Sequence, residues 1–360
     1  MEPDALSHLA DPNAAKNIPS IPKDIYYGCK PTEGEIEVIH PPEGLTSSER
    51  WVAIDIIAAT SFIRASVSID DHDMYVYAMD GSYIEPQKVQ AVPFSNGDRY
   101  SVLVKVDKPG SFQIRVRSTT LAQMITAHAI LLVDGPEATP AAIQKSPEQD
   151  GYINLVGKPT SPDVRVFNDS HAPPFPAMPI PQSADVFHHV NMFQDGATYL
   201  WALNGSRLMP DDFEDVATPV LLNPDSQVRD NVTLTTRNGA WIDLVFTVRP
   251  RPRLTHPIHK HGNKMFILGS GVGPFKWDSV DQAVQENPQA FNLVNPPQRD
   301  TFLTPMPAAD GAWQVIRYQV TNPGAWLLHC HINNHMLGGM SMLIQDGTDA
   351  WPDIPSKYQS

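Results

Sequence analysis

The stretch 325–340 puts Cys330 between His329 and His331, then adds His335 five residues after the cysteine and Met340 ten after it. Residues 325–328 are apolar and follow the turn Asn322-Pro323-Gly324, so they read as a strand that runs straight into His-Cys-His. Side chains alternate along a strand. Cys330 therefore faces away from both neighbouring histidines, and one strand end serves two faces, one centred on sulfur and one on imidazole. The site that commonly wants Cys, His and Met together is copper in a trigonal His2Cys arrangement with a weak axial thioether.

A second histidine cluster lies upstream, His256-Pro257-Ile258-His259-Lys260-His261-Gly262. If the segment is extended, His259 and His261 project to one side while His256 is free to point elsewhere. A lone histidine is most often solvated or structural. Six of the 13 histidines fall in these two short clusters, beside a cysteine and a methionine at suitable offsets, which argues against that reading. A closed zinc site wants Cys-x2–4-Cys or His-x3–5-His pairs, and two His-x-His pairs fit it less well.

The rest of the chain reads as strands. Proline reaches 35 of 360 residues, which disfavours long helices. Residues 111–117 alternate, with Phe112, Ile114 and Val116 on one side and Gln113, Arg115 and Arg117 on the other, the pattern of a half-buried strand. Residues 75–79, 99–106 and 130–133 are further strands before the proline-rich stretch, and 241–248, 313–320 and 341–344 after it, with Gly, Asn and Pro turns between. Such spacing suggests β-sandwiches or barrels. The expected organisation is an N-terminal extension or remnant over 1–35, one β domain over 36–140, a Pro-rich linker over 141–185 and a second β domain over 186–360. The net charge of −14 argues against nucleic-acid and anionic-membrane partners. No apolar run reaches the ~18 residues of a membrane span. The first residues have neither a basic start nor an apolar core, so they are not expected to be a signal peptide. Cys29 and Cys330 are the two cysteines. A bridge between them is conceivable, but a metal thiolate at Cys330 is the better reading, and it leaves Cys29 over. Asn-x-Ser/Thr acceptors stand at Asn168, Asn204 and Asn231 and matter only in a secreted, glycosylated protein.

The two clusters resemble the third and fourth copper motifs of multicopper oxidases, the laccase and ascorbate oxidase family, with detail nearest to fungal members. His256 to Gly262 is similar to His-Pro-x-His-x-His-Gly, and His329 to Met340 to His-Cys-His-Ile-x2-His-x3-Gly-Leu/Met. Residues 68–74, Asp80-Gly81 and 97–100 resemble the family's middle domain, and 295–301 with Asn322-Pro323-Gly324 its last domain. The resemblance implies an all-β fold of two cupredoxin-like (plastocyanin-like) Greek-key sandwich or barrel domains. It also implies a type 1 copper on His256, Cys330 and His335 with Met340 axial. His259, His261, His329 and His331 match ligands of the type 2/type 3 cluster, His259 to type 2 and the others to type 3. The implied activity is laccase-like: one-electron oxidation of phenolic or aromatic donors, pigment or secondary-metabolite precursors among them, coupled to reduction of dioxygen to water.

The family's cluster takes eight histidines, and the other four come from two His-x-His pairs in a first cupredoxin domain. No two of His8, His40, His72, His128, His171, His188 and His189 are spaced that way. His72 is expected in a turn or core and His188-His189 in a structural strand. The expectation is therefore a half cluster and a missing first domain, with Cys29 having lost a partner there. The alternative function is a copper-binding or electron-transfer cupredoxin protein with a type 1 site and no competent cluster. Metal-ion oxidation is a third reading, for which Asp243 and Asp300 are the candidate acids near the type 1 histidines.

Overall fold

The computed structural model describes residues 35–42, 50–120, 125–133, 151–196, 199–214, 220 and 230–358. Residues 1–34 of the expected N-terminal extension, Cys29 among them, and residues 141–150 of the Pro-rich stretch lie outside the described residues. The architecture is all-β. Two compact units divide the chain: the first holds the described residues up to Gly81 with Pro86–Ser95 and Arg99–Asn168. The second holds Ser82–Glu85, Asn96–Asp98 and the described residues from Asp169 onward.

The first unit is built on β1 (Val38–Ile39), β2 (Trp51–Ile57), β3 (Ala65–Ile69), β4 (Met74–Met79), β5 (Ser82–Val89, of which Pro86–Val89 lie in this unit), β6 (Ala91–Phe94), β7 (Arg99–Lys105), β8 (Gly110–Ser118) and β9 (Thr126–Val133). They form sheets ordered β1-β9-β8-β3-β6 and β2-β7-β4-β5. Strand β7 shows the expected alternation, with Tyr100, Val102 and Val104 buried. Strand β8 alternates too, but its polar side is the more buried one: Gln113, Arg115 and Arg117 are inside, while Phe112, Ile114 and Val116 are half-buried. The arginines are tolerated there because they are satisfied. Arg115 donates to both carboxylate oxygens of Asp70, at 2.7 and 2.8 Å, and Arg117 donates to the carbonyl of Ala127 at 2.7 Å. In the proline-rich stretch, Ile153, Val156 and Phe167 are buried and Val166 bridges to Ala91.

The second unit carries β10 (Val186–Gln194), β11 (Trp201–Leu203), β12 (Thr233–Thr235), β13 (Trp241–Val248), β14 (Pro257–Lys260), β15 (Met265–Val272), β16 (Gln298–Arg299), β17 (Thr301–Leu303), β18 (Ala312–Gln319), β19 (Gly324–Cys330) and β20 (Ser341–Asp346). Short helices α1 (Asp211–Glu214), α2 (Val280–Glu286) and α3 (Asn333–Leu337) interrupt them. The sheets are ordered β11-β10-β13-β18-β15-β16 and β12-β20-β19-β14-β17. Strand β13 is buried on both faces, which is why it reads as a nearly continuous apolar run. One face looks to the other sheet, where Phe246 meets Phe302 edge-on at 5.2 Å. On the other face Val245 lies opposite Val315, and both pack with Phe266, Leu268, Phe275, Trp277 and Trp313 beneath Val280 and Ala283 of α2. Each such side chain stabilises the unit by about 1.5–3 kcal/mol. Ser279 caps α2 by accepting from the Gln282 amide.

Candidate metal centre

The antiparallel ladder of β14 with β19 sorts the chemistry-bearing side chains. Ile258 lies opposite Cys330, and His259 lies opposite His329. Cross-strand partners share a face and successive residues do not. The sulfur therefore belongs to one side of this ladder and the two imidazoles to the other.

On the sulfur side, three elements converge. Cys330 ends β19, His256 precedes β14, and His335 sits in α3, which turns back under the strand end. Cys330 Sγ stands 3.7 Å from His256 Nδ1 and 3.8 Å from His335 Nδ1. Relative exposures of 0%, 0% and 4% for His256, Cys330 and His335 take the group out of water. Backbone bonds hold it. The Thr304 hydroxyl accepts from the His256 amide at 2.8 Å while the Thr304 amide donates to the His256 carbonyl at 2.9 Å. Cys330 donates to the Met340 carbonyl at 3.0 Å, and Met340 donates to the His335 carbonyl at 2.9 Å, so the three residues close one loop. Met340 itself is buried.

Burial alone pushes the Cys330 thiol up to about 12, against a smaller opposing pull from the Ile332 amide, which points at the sulfur from 3.5 Å. Burial also lowers His335 to about 4. His256 is held well below the ordinary range by burial and then by the neighbouring His335. The pocket thus disfavours any uncompensated charge. A cation bound between sulfur and the two nitrogens is what would let the thiolate form there. A soft sulfur with two imidazoles at equal reach fits copper by donor chemistry.

On the imidazole side, His259, His261 and His329 bring ring nitrogens within 4.8 Å of one another. Hydrogen bonds dictate which nitrogens. His259 Nδ1 lies 3.0 Å from the Asp300 carbonyl and 3.0 Å from Thr301 Oγ1. His329 Nδ1 lies 2.9 Å from the Cys330 carbonyl. A carbonyl only accepts, so both Nδ1 atoms carry the proton and both Nε2 lone pairs are left for a metal. His261 Nε2 is 3.2 Å from His329 Nε2, a spacing that suits a shared cation or one hydrogen bond. Burial lowers His261 to about 4 and His329 to about 3. The His331 ring is 5.9 Å from His259 and 5.6 Å from His329, but no nitrogen of His331 joins the trio.

Lys260, between His259 and His261, is fully buried and pairs with Asp346 at 2.7 Å. The carboxylate also accepts from Asn263 at 2.9 Å, Tyr318 at 2.9 Å and Thr236 at 2.8 Å. Lys260 donates to the His261 carbonyl at 3.1 Å, so the network grips the His-x-His segment directly. Its spacing signals nothing; a charged residue inside a buried strand was the available clue.

The two acids proposed beside the type 1 histidines sit elsewhere. Asp243 is buried in a bidentate pair with Arg317, at 2.6 and 2.7 Å. Asp300 places its carboxylate 3.4 Å from His259, on the imidazole side. His72 is buried in a turn, bonded to the Asp70 carbonyl at 2.8 Å and edge-on to Phe112, and His188 and His189 lie on β10. Trp201 has no motif to announce it, yet its ring centre is 4.4 Å from that of His256 and 4.8 Å from that of His335.

Two family models, both described as multicopper oxidase, match residues 45–136 and 203–349. The chain belongs to the multicopper oxidase family. The multicopper oxidase elcG of Phaeosphaeria nodorum is 36% identical over 356 residues, covering 96% of this chain and 55% of its own. The laccase abr2 of Aspergillus fumigatus is 36% identical over 342 residues, covering 93% of this chain and 56% of its own. This multicopper oxidase chain thus spans about half the length of the curated relatives it matches. The crystal structure of the laccase from Botrytis aclada superposes with a TM-score of 0.67 at 21% identity, over 93% of this chain and 58% of that one, a likeness of fold.

Proposed function

We propose that this chain belongs to a laccase-type oxidase that takes single electrons from phenolic or other aromatic donors, pigment or secondary-metabolite precursors included, and delivers them to dioxygen, forming water. The observation that carries the reading is the Cys330 sulfur held 3.7 and 3.8 Å from two imidazole nitrogens in a buried pocket. In that reading His256, Cys330 and His335 hold a type 1 copper with Met340 axial, and His259, His261, His329 and His331 belong to the type 2/type 3 cluster. Copper at such a site supplies fast one-electron redox chemistry. The chain's residues supply the setting. The Ile332 amide steadies negative charge on the sulfur. Burial of His256 and Cys330 keeps water off the sulfur. Asp300 and the Cys330 carbonyl orient two imidazoles toward a common point. Cys330 and His329 are chain neighbours, so the two faces are joined by a few covalent bonds.

A second reading is a cupredoxin-type electron carrier with the Cys330 site and no competent cluster. It is favoured by the trio geometry, in which three nitrogens converge among the described residues and His331 stands aside. Copper titration with absorption and EPR spectroscopy, together with oxygen uptake on a phenolic donor, separates the two. The oxidase reading expects an intense thiolate-to-copper band, lost in Cys330→Ser, and oxygen uptake. A band without uptake leaves the carrier. The absence of the band in the copper-loaded chain defeats both.

A further inference from the structure

We infer that Trp201 is a positioning residue of the Cys330-centred site: its indole face receives the Nε2–H of His256 and so fixes the imidazole tautomer that leaves Nδ1 bare. The inference rests on the reading of His256, Cys330 and His335 as a copper site.

The geometry is specific. His256 Nδ1 is the nitrogen turned to the sulfur, at 3.7 Å. A neutral imidazole that offers one nitrogen as a lone pair carries its proton on the other. His256 Nε2 is therefore the N–H, yet it is buried with no hydrogen-bond partner among the described residues, in a residue with no exposure. Buried N–H groups left without an acceptor are costly and rare. The Trp201 ring is what lies nearby, with its centre 4.4 Å from the imidazole centre and its plane at 67°. An aromatic face is electron-rich and accepts an N–H that meets it edge-on. The same indole lies at 4.8 Å and only 33° from His335, a flatter contact that leaves the His335 Nδ1 directed at sulfur.

Trp201 is also tied to the metal-binding turn by the backbone. Its amide donates to the Gly338 carbonyl at 3.4 Å, and the Leu208 amide donates to the Gly339 carbonyl at 3.0 Å. A Cβ on Gly338 would run into the Tyr199 carbonyl oxygen, so the segment leading into β11 and the turn after α3 pack with no room for a side chain there. Trp201 and His335 are thereby fixed to one another, and His256 rests on the same indole.

The test uses the full chain with 15N-labelled histidine, metal-free and loaded with zinc(II) as a diamagnetic probe. Long-range 1H–15N spectra report the tautomer and environment of each ring. The expected result is His256 as the Nε2–H form in both states, with that proton shifted upfield by the indole and showing a cross-relaxation contact to it. Trp201→Phe keeps the tautomer with a smaller shift. Trp201→Leu fills the space without a π face, loses the shift, and weakens zinc binding about two- to fivefold, the effect of one weak hydrogen bond. An Nδ1–H tautomer, or an Nε2–H shift unchanged in Trp201→Leu, overturns the inference. Should the leucine variant not fold, the wild-type shift and its contact to the indole decide alone. If zinc perturbs neither His256 nor His335, the metal-site reading fails, and the metal-free spectra still judge the Trp201 contact.

Discussion

The buried Lys260–Asp346 pair allows a quantitative prediction, because its two members are unequally supported. Remove the carboxylate, as in Asp346→Leu, and the Lys260 ammonium keeps one hydrogen bond, to the His261 carbonyl at 3.1 Å, and the face of Tyr318 at 4.3 Å. A buried charge stripped of its counter-ion costs about 3–5 kcal/mol. Burial already pulls Lys260 below the ordinary lysine range, with Asp346 pulling it back. Remove the ammonium instead, as in Lys260→Met, and Asp346 retains Asn263, Tyr318 and Thr236 as donors. The loss is then nearer one charge-assisted hydrogen bond, about 1.5–3 kcal/mol. The double variant leaves no buried charge at either position and should cost less than the sum, with a coupling of about 1.5–3 kcal/mol. Urea unfolding is the assay. At slopes of about 2–3 kcal/mol/M, a loss of about 4 kcal/mol lowers the midpoint by more than about 1 M. Equal losses for the two single variants, or strict additivity in the double, would refute the asymmetry and with it the claim that Asp346 is the hub.

Three further outcomes are expected. Thr304→Val leaves the buried His256 amide without its acceptor and should cost about 1–3 kcal/mol, with weaker copper binding by titration; an unchanged midpoint would show that the amide finds another partner. Gly338→Ala drives a methyl into the Tyr199 carbonyl and should destabilise by more than about 1 kcal/mol while weakening metal uptake at the Cys330 site, checked by the same unfolding and titration series. Burial holds His188 below the usual histidine value, so it is neutral when folded and the unfolded chain takes up its proton first on acidification. Its stability contribution is present above about pH 6.5 and is lost as pH falls through the lowered folded value. The urea midpoint of the wild type should therefore drop more steeply between about pH 7.5 and about pH 5 than that of His188→Gln, and parallel slopes would count against this assignment.

Strand identity was legible wherever alternation or a turn signal was strong. The residues of β7 are readable from alternation, and those of β13, β18 and the strand that ends in His-Cys-His from apolar runs set beside turn signals. Face assignment was less legible. In β8 the arginines are inside because Asp70, 45 residues from Arg115, and the Ala127 carbonyl on the neighbouring strand satisfy them, and no local pattern encodes such partners. The proposed metal ligands announced themselves by spacing, since two His-x-His segments, one of them with Cys between its histidines, are rare by chance. What surrounds them did not. Trp201, Thr304 and Asp346 reach the site from three other strands or turns, and each looks ordinary in its own stretch of sequence. The helix α3 that carries His335 is five residues long, too short for periodicity to reveal.

The pairing of Ile258 with Cys330 and of His259 with His329 bears on how such a chain can change. Because side chains alternate, inserting or deleting one residue in β19 ahead of His329 would trade its two faces, sending sulfur toward the His259 and His261 rings and an imidazole toward the buried pocket. Both sites would be lost in one event. Lineages carrying this ladder are thereby confined to point substitutions within it, and length variation is pushed into loops beyond the strand ends. An engineer faces the same restriction: either centre can be retuned by exchanging side chains, but neither can be moved without dismantling the other.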